Sequence, residues 1–183
     1  MFSRIATLAA IALGFSCSPN IGLAQHAGES SDRAACGQFS WPIGRERAWF
    51  ADKQLPLRAS GARLRRIERA VEHTLVPSER VHFFLPPKVE PKARSFGGEV
   101  TFFGVPKPGL YQITLSDEAS IEVFENGTRL QPKGRTSAKN CPDVRESVRF
   151  ELAPGDLVLV EIMNASTNSI EVAFAQAAIQ TAW

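Results

Sequence analysis

The sequence predicts an all-β protein, a single antiparallel β-sandwich of jelly-roll type with about eight strands. Short runs of alternating apolar and polar residues dominate the chain from Ala70 onward. Turn-forming Gly, Pro, Asn and Asp residues separate these runs at close intervals. Several runs keep one clean polar face, which is typical of an antiparallel sheet packed on one side only.

The first part of this region contains three predicted strands and a hairpin signal. The strands cover residues 99–105, 110–115 and 120–125. Residues 106–109 (PKPG) form the turn between the first two strands, because proline fixes φ and glycine permits unusual φ values. Asn126-Gly127 follows the third strand, and this pair predicts a tight hairpin because both residues tolerate positive φ.

The second part repeats this pattern over residues 147–152, 157–162 and 169–175. The run 157–162 carries apolar residues on both faces, which predicts a strand in the centre of the sandwich. Glu122, Glu151 and Glu171 lie on the polar sides of their strands, so we expect a solvated face there.

Residues 62–75 fit two patterns. Leu64, Ile67, Val71 and Leu75 have helical spacing. Residues 71–75 also alternate, as do residues 81–85 beyond the turn 76–80, and this favours a pair of strands. In that pair Leu75 lies opposite Val81, and His73 lies opposite Phe83.

The beginning of the chain has the features of a signal peptide. Arg4 precedes an apolar run from Ile5 to Phe15, and small residues at Gly22 and Ala24 suit a signal peptidase. We therefore expect a signal peptide over 1–24, a flexible lead-in over 25–35 and the sandwich domain over 36–183, located in the periplasm or secreted. The alternative is lipidation at Cys17, which would tether the domain to a membrane.

The size and charge of the chain after the predicted signal peptide limit the classes of protein to which it can belong. About 159 residues suffice for one domain with a real core. The whole chain has 21 basic and 19 acidic residues, so without Arg4 the charge is nearly balanced and does not indicate a nucleic-acid binder. No second apolar stretch approaches membrane-spanning length, and we expect no transmembrane segment in the mature chain.

Cys36 and Cys141 form an even pair once the leader is removed, and in an oxidising compartment they predict a disulfide. The bond would close a loop of roughly 100 residues, which the chain-entropy model values at about 4 to 5 kcal/mol as an upper figure. A metal or nucleophilic role is the alternative, but neither cysteine has a His or a second Cys nearby in sequence.

Two groups of residues are candidate binding sites. Trp41 and Trp49 frame an aromatic stretch that could stack on sugars, although such rings could also cap an open end of the sandwich. The basic cluster could meet an acidic polysaccharide, lipid headgroups or an acidic protein, although it could also be a solvated segment. This cluster consists of Arg63, Arg65, Arg66 and Arg69.

No enzyme motif supports a catalytic function. The sequence lacks a Gly-x-Ser-x-Gly elbow, a phosphate-binding loop and a metalloprotease helix motif. We expect no catalytic residues, no metal ligands and no cofactor, although paired carboxylates brought together by the fold stay open as a possibility.

The stretch from Gly97 to Gly127 (GGEVTFFGVPKPGLYQITLSDEASIEVFENG) resembles secreted bacterial β-sandwich modules of the prepeptidase C-terminal type. Together with residues 141–152, the chain is similar to a group of small exported proteobacterial proteins, some of which carry a homogentisate dioxygenase label. The resemblance implies a β-sandwich, and its motifs are structural.

The dioxygenase label implies a non-haem iron site with two histidines and a carboxylate. The mature chain has His26, His73 and His82, and in the predicted strand pair His73 and His82 lie on opposite sheet faces. We therefore expect a non-catalytic binding module for a glycan, an envelope component or a protein. The alternatives are an enzyme with a site assembled from loops, such as a metal-dependent oxygenase, and a structural envelope protein.

Overall fold

The computed structural model describes residues 34–65 and 69–177. The predicted signal peptide, Cys17 and Arg66 lie outside these ranges. Two β-sheets pack face to face, and the apolar residues between them form the main core. The prediction of an all-β sandwich is therefore confirmed.

Residues 34–36 are helical, the α-helix α1 (Gly44–Phe50) precedes the strands, and a short 3-10 helix spans Ser78–Arg80. The strands of the described residues are β1 (Leu57–Ala59), β2 (Ala62–Leu64), β3 (Ala70–Thr74), β4 (Val76–Pro77), β5 (Phe96–Phe103), β6 (Gly109–Leu115), β7 (Ser120–Glu125), β8 (Thr128–Arg129), β9 (Gly134–Ser137), β10 (Glu146–Leu152), β11 (Leu157–Ala165) and β12 (Ser169–Gln176). Within the described ranges, no helix has the length and apolar character needed to cross a bilayer.

The first sheet has the strand order β1-β3-β12-β6-β10-β9. The second has the order β2-β5-β11-β7-β8, and β4 adds to the edge of β5. Strands β3-β12-β6-β10 face strands β5-β11-β7-β8, and the chain crosses repeatedly between these two four-stranded halves. This is the arrangement of a jelly roll, as the sequence predicted.

The sheets are mixed rather than purely antiparallel, which corrects the sequence prediction. β1 runs parallel to β3, and β2 runs parallel to β5. Both exceptions are three-residue strands at sheet edges, on either side of the turn at Gly61, whose φ is 82°. An alternating run shows which face of a strand is apolar but not the direction of its neighbour, so the sequence could not reveal these pairs.

Most predicted strands lie where the alternation placed them. Residues 120–125 form β7 with the predicted bounds, and β11 is central between β5 and β7, as predicted. Asn126 and Gly127 have φ values of 48° and 78°, which confirms the hairpin between β7 and β8. Val123, Val148 and Val160 are fully buried between the sheets.

The ambiguous segment is extended in its described parts, since β2 and β3 replace the helical alternative. The predicted pairing of residues 71–75 with 81–85 is wrong. β3 already has β1 on one edge and β12 on the other, so no edge is left for a hairpin partner. Residues 81–95, which we call the strap, instead cross the outer face of the second sheet.

The aromatic stretch near Cys36 forms a second apolar cluster on the outer face of the first sheet. Phe39, Trp41 and Phe50 pack there with Ala173 of β12 and Cys141. The predicted disulfide between Cys36 and Cys141 is present, with a Cα–Cα distance of 4.6 Å. The rings therefore cover a sheet face and do not cap an open end of the sandwich.

Candidate binding surfaces

Trp41 is held by contacts on its ring face and at its indole nitrogen. Its side chain is 8% exposed, and the Nε1–H donates to Ser147 Oγ at 3.0 Å. The Arg149 guanidinium lies 4.1 Å from the ring centroid. Trp49 is half-buried, with the Arg45 guanidinium 5.1 Å from its ring centroid. Both indoles therefore present a face to an arginine of this chain.

A polar network anchors the aromatic segment to the first sheet. Ser147 Oγ lies 2.9 Å from Thr114 Oγ1 on the neighbouring strand, where the two residues are register partners. Arg149 Nε donates to Gln112 Oε1 at 3.1 Å across the same pair of strands. These hydrogen bonds tie the aromatic segment to the sheet, which gives this region a structural role, although Gln112 Nε2 and Arg149 Nη2 are buried without a partner within the described residues.

The predicted basic cluster is divided between the two sheets. Arg63 and Arg65 are exposed, and Arg63 lies opposite Thr101 on the outer face of the second sheet. Arg69 is also exposed, but its carbonyl accepts the Phe174 N–H in the first sheet. Of the described arginines of this cluster, the strand pairing places Arg63 on the outer face of the second sheet.

Large apolar side chains are exposed at one end of the second sheet. Phe103 is 48% exposed and Leu157 is 43% exposed, and these two residues are cross-strand partners. Leu157 is paired through its backbone with Asn126, and the Phe84 ring lies beside the neighbouring Gly127. We call the surface formed by Phe84, Phe103 and Leu157 the apolar end.

The strap is bound to the second sheet by backbone donors at four-residue intervals. The N–H groups of Phe84 and Lys88 each donate at 2.6 Å, to Glu161 Oε1 and Glu122 Oε1. The Lys92 N–H donates to Asn164 Oδ1 at 2.7 Å. The strap therefore joins the sheet through side-chain acceptors, which alternation of apolar residues does not reveal.

Three glutamates form a row beneath this part of the strap. Glu99 and Glu122 are the register partners of Glu161 on its two sides. Glu161 is fully buried, and its Oε2 has no hydrogen-bond partner within the described residues. Burial raises the pKa of the Glu161 carboxyl above its usual value. The hydrogen bond from the Phe84 N–H lowers this pKa, whereas the neighbouring Glu122 and Glu99 raise it further.

Glu122 does not lie on a solvated face, so the prediction for this residue is wrong. This side chain is buried, and its Oε2 lies 2.8 Å from Arg129 Nε. Arg129 also donates to the Pro86 carbonyl at 2.6 Å and so ties the ion pair to the strap. Glu151 is exposed as expected, whereas Glu171 is half-buried.

A cleft of about 270 Å³ opens at the edge of the sandwich, between the end of the short strand β8 and the first sheet. We call it the edge cleft. Ile121, Leu130, Phe150 and Met163 supply its apolar floor. Lys88 and Arg135 lie at its rim, and Arg135 is paired with Glu146. The edge cleft therefore combines an apolar interior with a cationic border.

The two described histidines occupy different environments. His73 is fully buried, and neither ring nitrogen has a hydrogen-bond partner that meets ordinary geometry within the described residues. Burial lowers the pKa of His73 to about 4, against a smaller opposing effect of the Arg58 backbone. His82 is exposed on the strap. In the described part of the chain, no group of three His, Cys, Asp or Glu side chains is placed to hold a metal ion.

No family model, no curated protein and no solved structure matches this chain. The resemblance to prepeptidase C-terminal modules therefore stays a prediction. The function has to be inferred from the chemistry of the surfaces that this chain exposes.

Sequence reasoning missed the apolar end and the edge cleft, although part of the signal was present. Adjacent residues on a strand point to opposite faces, so one ring of the pair Phe102-Phe103 had to leave the core. The run Phe83-Phe84-Leu85 before two prolines is likewise too apolar for an ordinary turn. The edge cleft left no such signal, because its walls come from distant parts of the chain.

Proposed function

We propose that this chain is an exported, non-catalytic binding module of the cell envelope that docks on anionic amphiphilic surfaces through the apolar end. The supporting observation is that Phe84, Phe103 and Leu157 expose large apolar side chains at one end of the second sheet. Isolated exposed apolar residues are common on proteins, whereas a contiguous patch usually marks an interaction site.

The charge beside the apolar end favours an anionic partner. Arg63 lies on the edge strand β2 opposite Thr101, on the face that carries Phe103 and Leu157, and the exposed Arg65 follows the end of this strand. Of the nearby carboxylates, Glu125 already accepts the Ala153 N–H at 2.8 Å. An anionic phospholipid bilayer has an apolar interior beneath negatively charged headgroups. It therefore complements a surface that carries both exposed apolar side chains and arginine.

Vesicle sedimentation tests this proposal with the mature chain. We expect binding to vesicles of phosphatidylglycerol and phosphatidylcholine and much weaker binding to phosphatidylcholine alone. Because burial of a large apolar side chain contributes about 1.5 to 3 kcal/mol, the double variant Phe103→Ser, Leu157→Ser should bind at least about tenfold more weakly. The variant Arg63→Gln, Arg65→Gln should reduce the dependence of binding on salt.

Leu57 provides a matched control, because it is 62% exposed on an edge strand of the opposite sheet. Leu57→Ser should leave vesicle binding unchanged. Equal losses in the Leu57 and Phe103/Leu157 variants, or no binding to either vesicle, would contradict the proposal.

A further inference from the structure

The edge of β7 carries an unpaired backbone. β8 pairs with β7 only at Phe124–Arg129 and Glu125–Thr128, and the Leu130 N–H then donates to the Val123 carbonyl at 2.8 Å. Continuing this register would place Pro132 opposite Ile121. Proline has no N–H to donate, so the ladder ends before it reaches Ile121.

The direction of the Ile121 backbone follows from the pairing on both sides of β7. Val123 bonds toward β8, whereas the Asn126 N–H bonds toward the Leu157 carbonyl on β11. Successive residues of a strand direct their backbone groups to opposite edges, so Ile121 faces the same open edge as Val123. Its N–H and C=O have no partner on that side within the described residues.

The edge cleft lies directly beside this free backbone, since the Ile121 side chain lines it. A chain that pairs with Ile121 would place the opposing side chain on the same sheet face, between the two sheets. That side chain would lie beside Leu130 and Phe150, which line the part of the cleft between the sheets. A volume of about 270 Å³ suits one large side chain and is smaller than most sites for whole organic ligands.

The next side chain of such a strand would point to the opposite face, where the strap lies. Lys88 is exposed there at the rim of the edge cleft, and its ammonium has no ion pair within the described residues. A carboxylate at this position would complement the lysine. The neighbouring Arg129 is already engaged by Glu122.

We propose that the edge cleft binds an extended peptide by strand addition to β7, with an apolar side chain in the cleft and an adjacent acidic side chain on Lys88. The free N–H and C=O favour a peptide, because an extended peptide offers a donor and an acceptor at strand spacing. This site is separate from the apolar end and does not depend on the proposed membrane docking.

The test uses an acetylated and amidated hexapeptide, Thr-Thr-Phe-Glu-Thr-Thr, and its reversed sequence, titrated into the isotope-labelled mature chain and followed by amide chemical shifts. We expect shifts concentrated at residues 119–123, 88 and 130–135. Methylating the phenylalanine nitrogen of the peptide removes its backbone donor and should weaken binding about tenfold. Replacing the peptide's glutamate by lysine should weaken it as well.

The protein variant Lys88→Gln should lose the preference for the acidic peptide. Lys92→Gln is the matched control, because Lys92 is also an exposed strap residue with a bound backbone N–H but lies outside the edge cleft. Absence of binding in both peptide directions, equal binding of the methylated peptide, or equal effects of the two lysine variants would overturn the proposal. A dimer of the chain that protects the same amides would assign the edge to a second copy and would also overturn it.

Discussion

The backbone N–H of Phe84 donates to the Glu161 carboxylate at 2.6 Å, although 77 residues separate the two positions. This contact places the strap over an ionisable group that is fully buried in the middle of a central strand. It covers one oxygen of the carboxylate and leaves the other, Oε2, without a partner within the described residues. Glu161 is therefore both an attachment point for the strap and an electrostatic cost to the fold.

Glu161→Gln should stabilise the protein at neutral pH. The glutamine Oε1 can still accept the Phe84 N–H, while the amide NH₂ can donate to the neighbouring carboxylates. The substitution also removes a buried group whose ionised form is disfavoured by burial. Since an unsatisfied buried group costs about 1 to 3 kcal/mol, we expect a gain of this order in the free energy of unfolding, measured with urea at pH 7.5.

The stability gained by Glu161→Gln should become smaller at acidic pH. The pKa of Glu161 is raised in the folded protein, so the folded state holds this proton to a higher pH than the unfolded state does. The contribution of Glu161 to stability therefore becomes less favourable as the pH rises above about 4.5, and the variant lacks this contribution while it keeps those of the other titrating groups. Glu151→Gln, at an exposed position on β10, is the control. A destabilised Glu161→Gln protein at pH 7.5 would contradict this account.

His73 should make the protein lose stability in mild acid. Its pKa is lowered from 6.5 to about 4, so the unfolded state binds a proton in this interval that the folded state does not. The free energy of unfolding should fall as the pH drops from about 6.5 to about 4, by about 3 kcal/mol in total. Denaturant titrations at several pH values measure this slope.

Replacing His73 with leucine should flatten that part of the pH profile, because the variant has no group that titrates there. His82→Gln should leave the profile unchanged, since His82 is exposed on the strap. A slope that persists in the His73 variant would assign the acid sensitivity to another group.

Removal of the disulfide should destabilise the protein and loosen the aromatic segment first. The bond joins Cys36 to Cys141 across 105 residues, and both cysteines adjoin the cluster of Phe39, Trp41 and Phe50. The double variant Cys36→Ser, Cys141→Ser should lose about 2 to 5 kcal/mol. Thermal unfolding with tryptophan fluorescence measures both effects, and an unchanged melting temperature would contradict them.

Trp41→Phe should cost about 1 to 2 kcal/mol while keeping the aromatic packing. The substitution removes the Nε1–H that donates to Ser147 and weakens the contact with the Arg149 guanidinium. Trp49→Phe is the comparison, because the Trp49 ring is half-buried and also lies against an arginine. Urea unfolding should rank the Trp41 variant as the less stable of the two.

The sequence by itself determined the fold class, several strand positions, the Asn126-Gly127 hairpin and the Cys36–Cys141 bond. These features follow from local chemistry, because alternation marks the apolar face of a strand and turn residues permit positive φ. Only the tertiary structure decided the partners of each strand, the path of the strap and the burial of Glu122 and Glu161. The reason is that a strand's own residues show which face is polar, whereas the segment that covers that face comes from elsewhere in the chain.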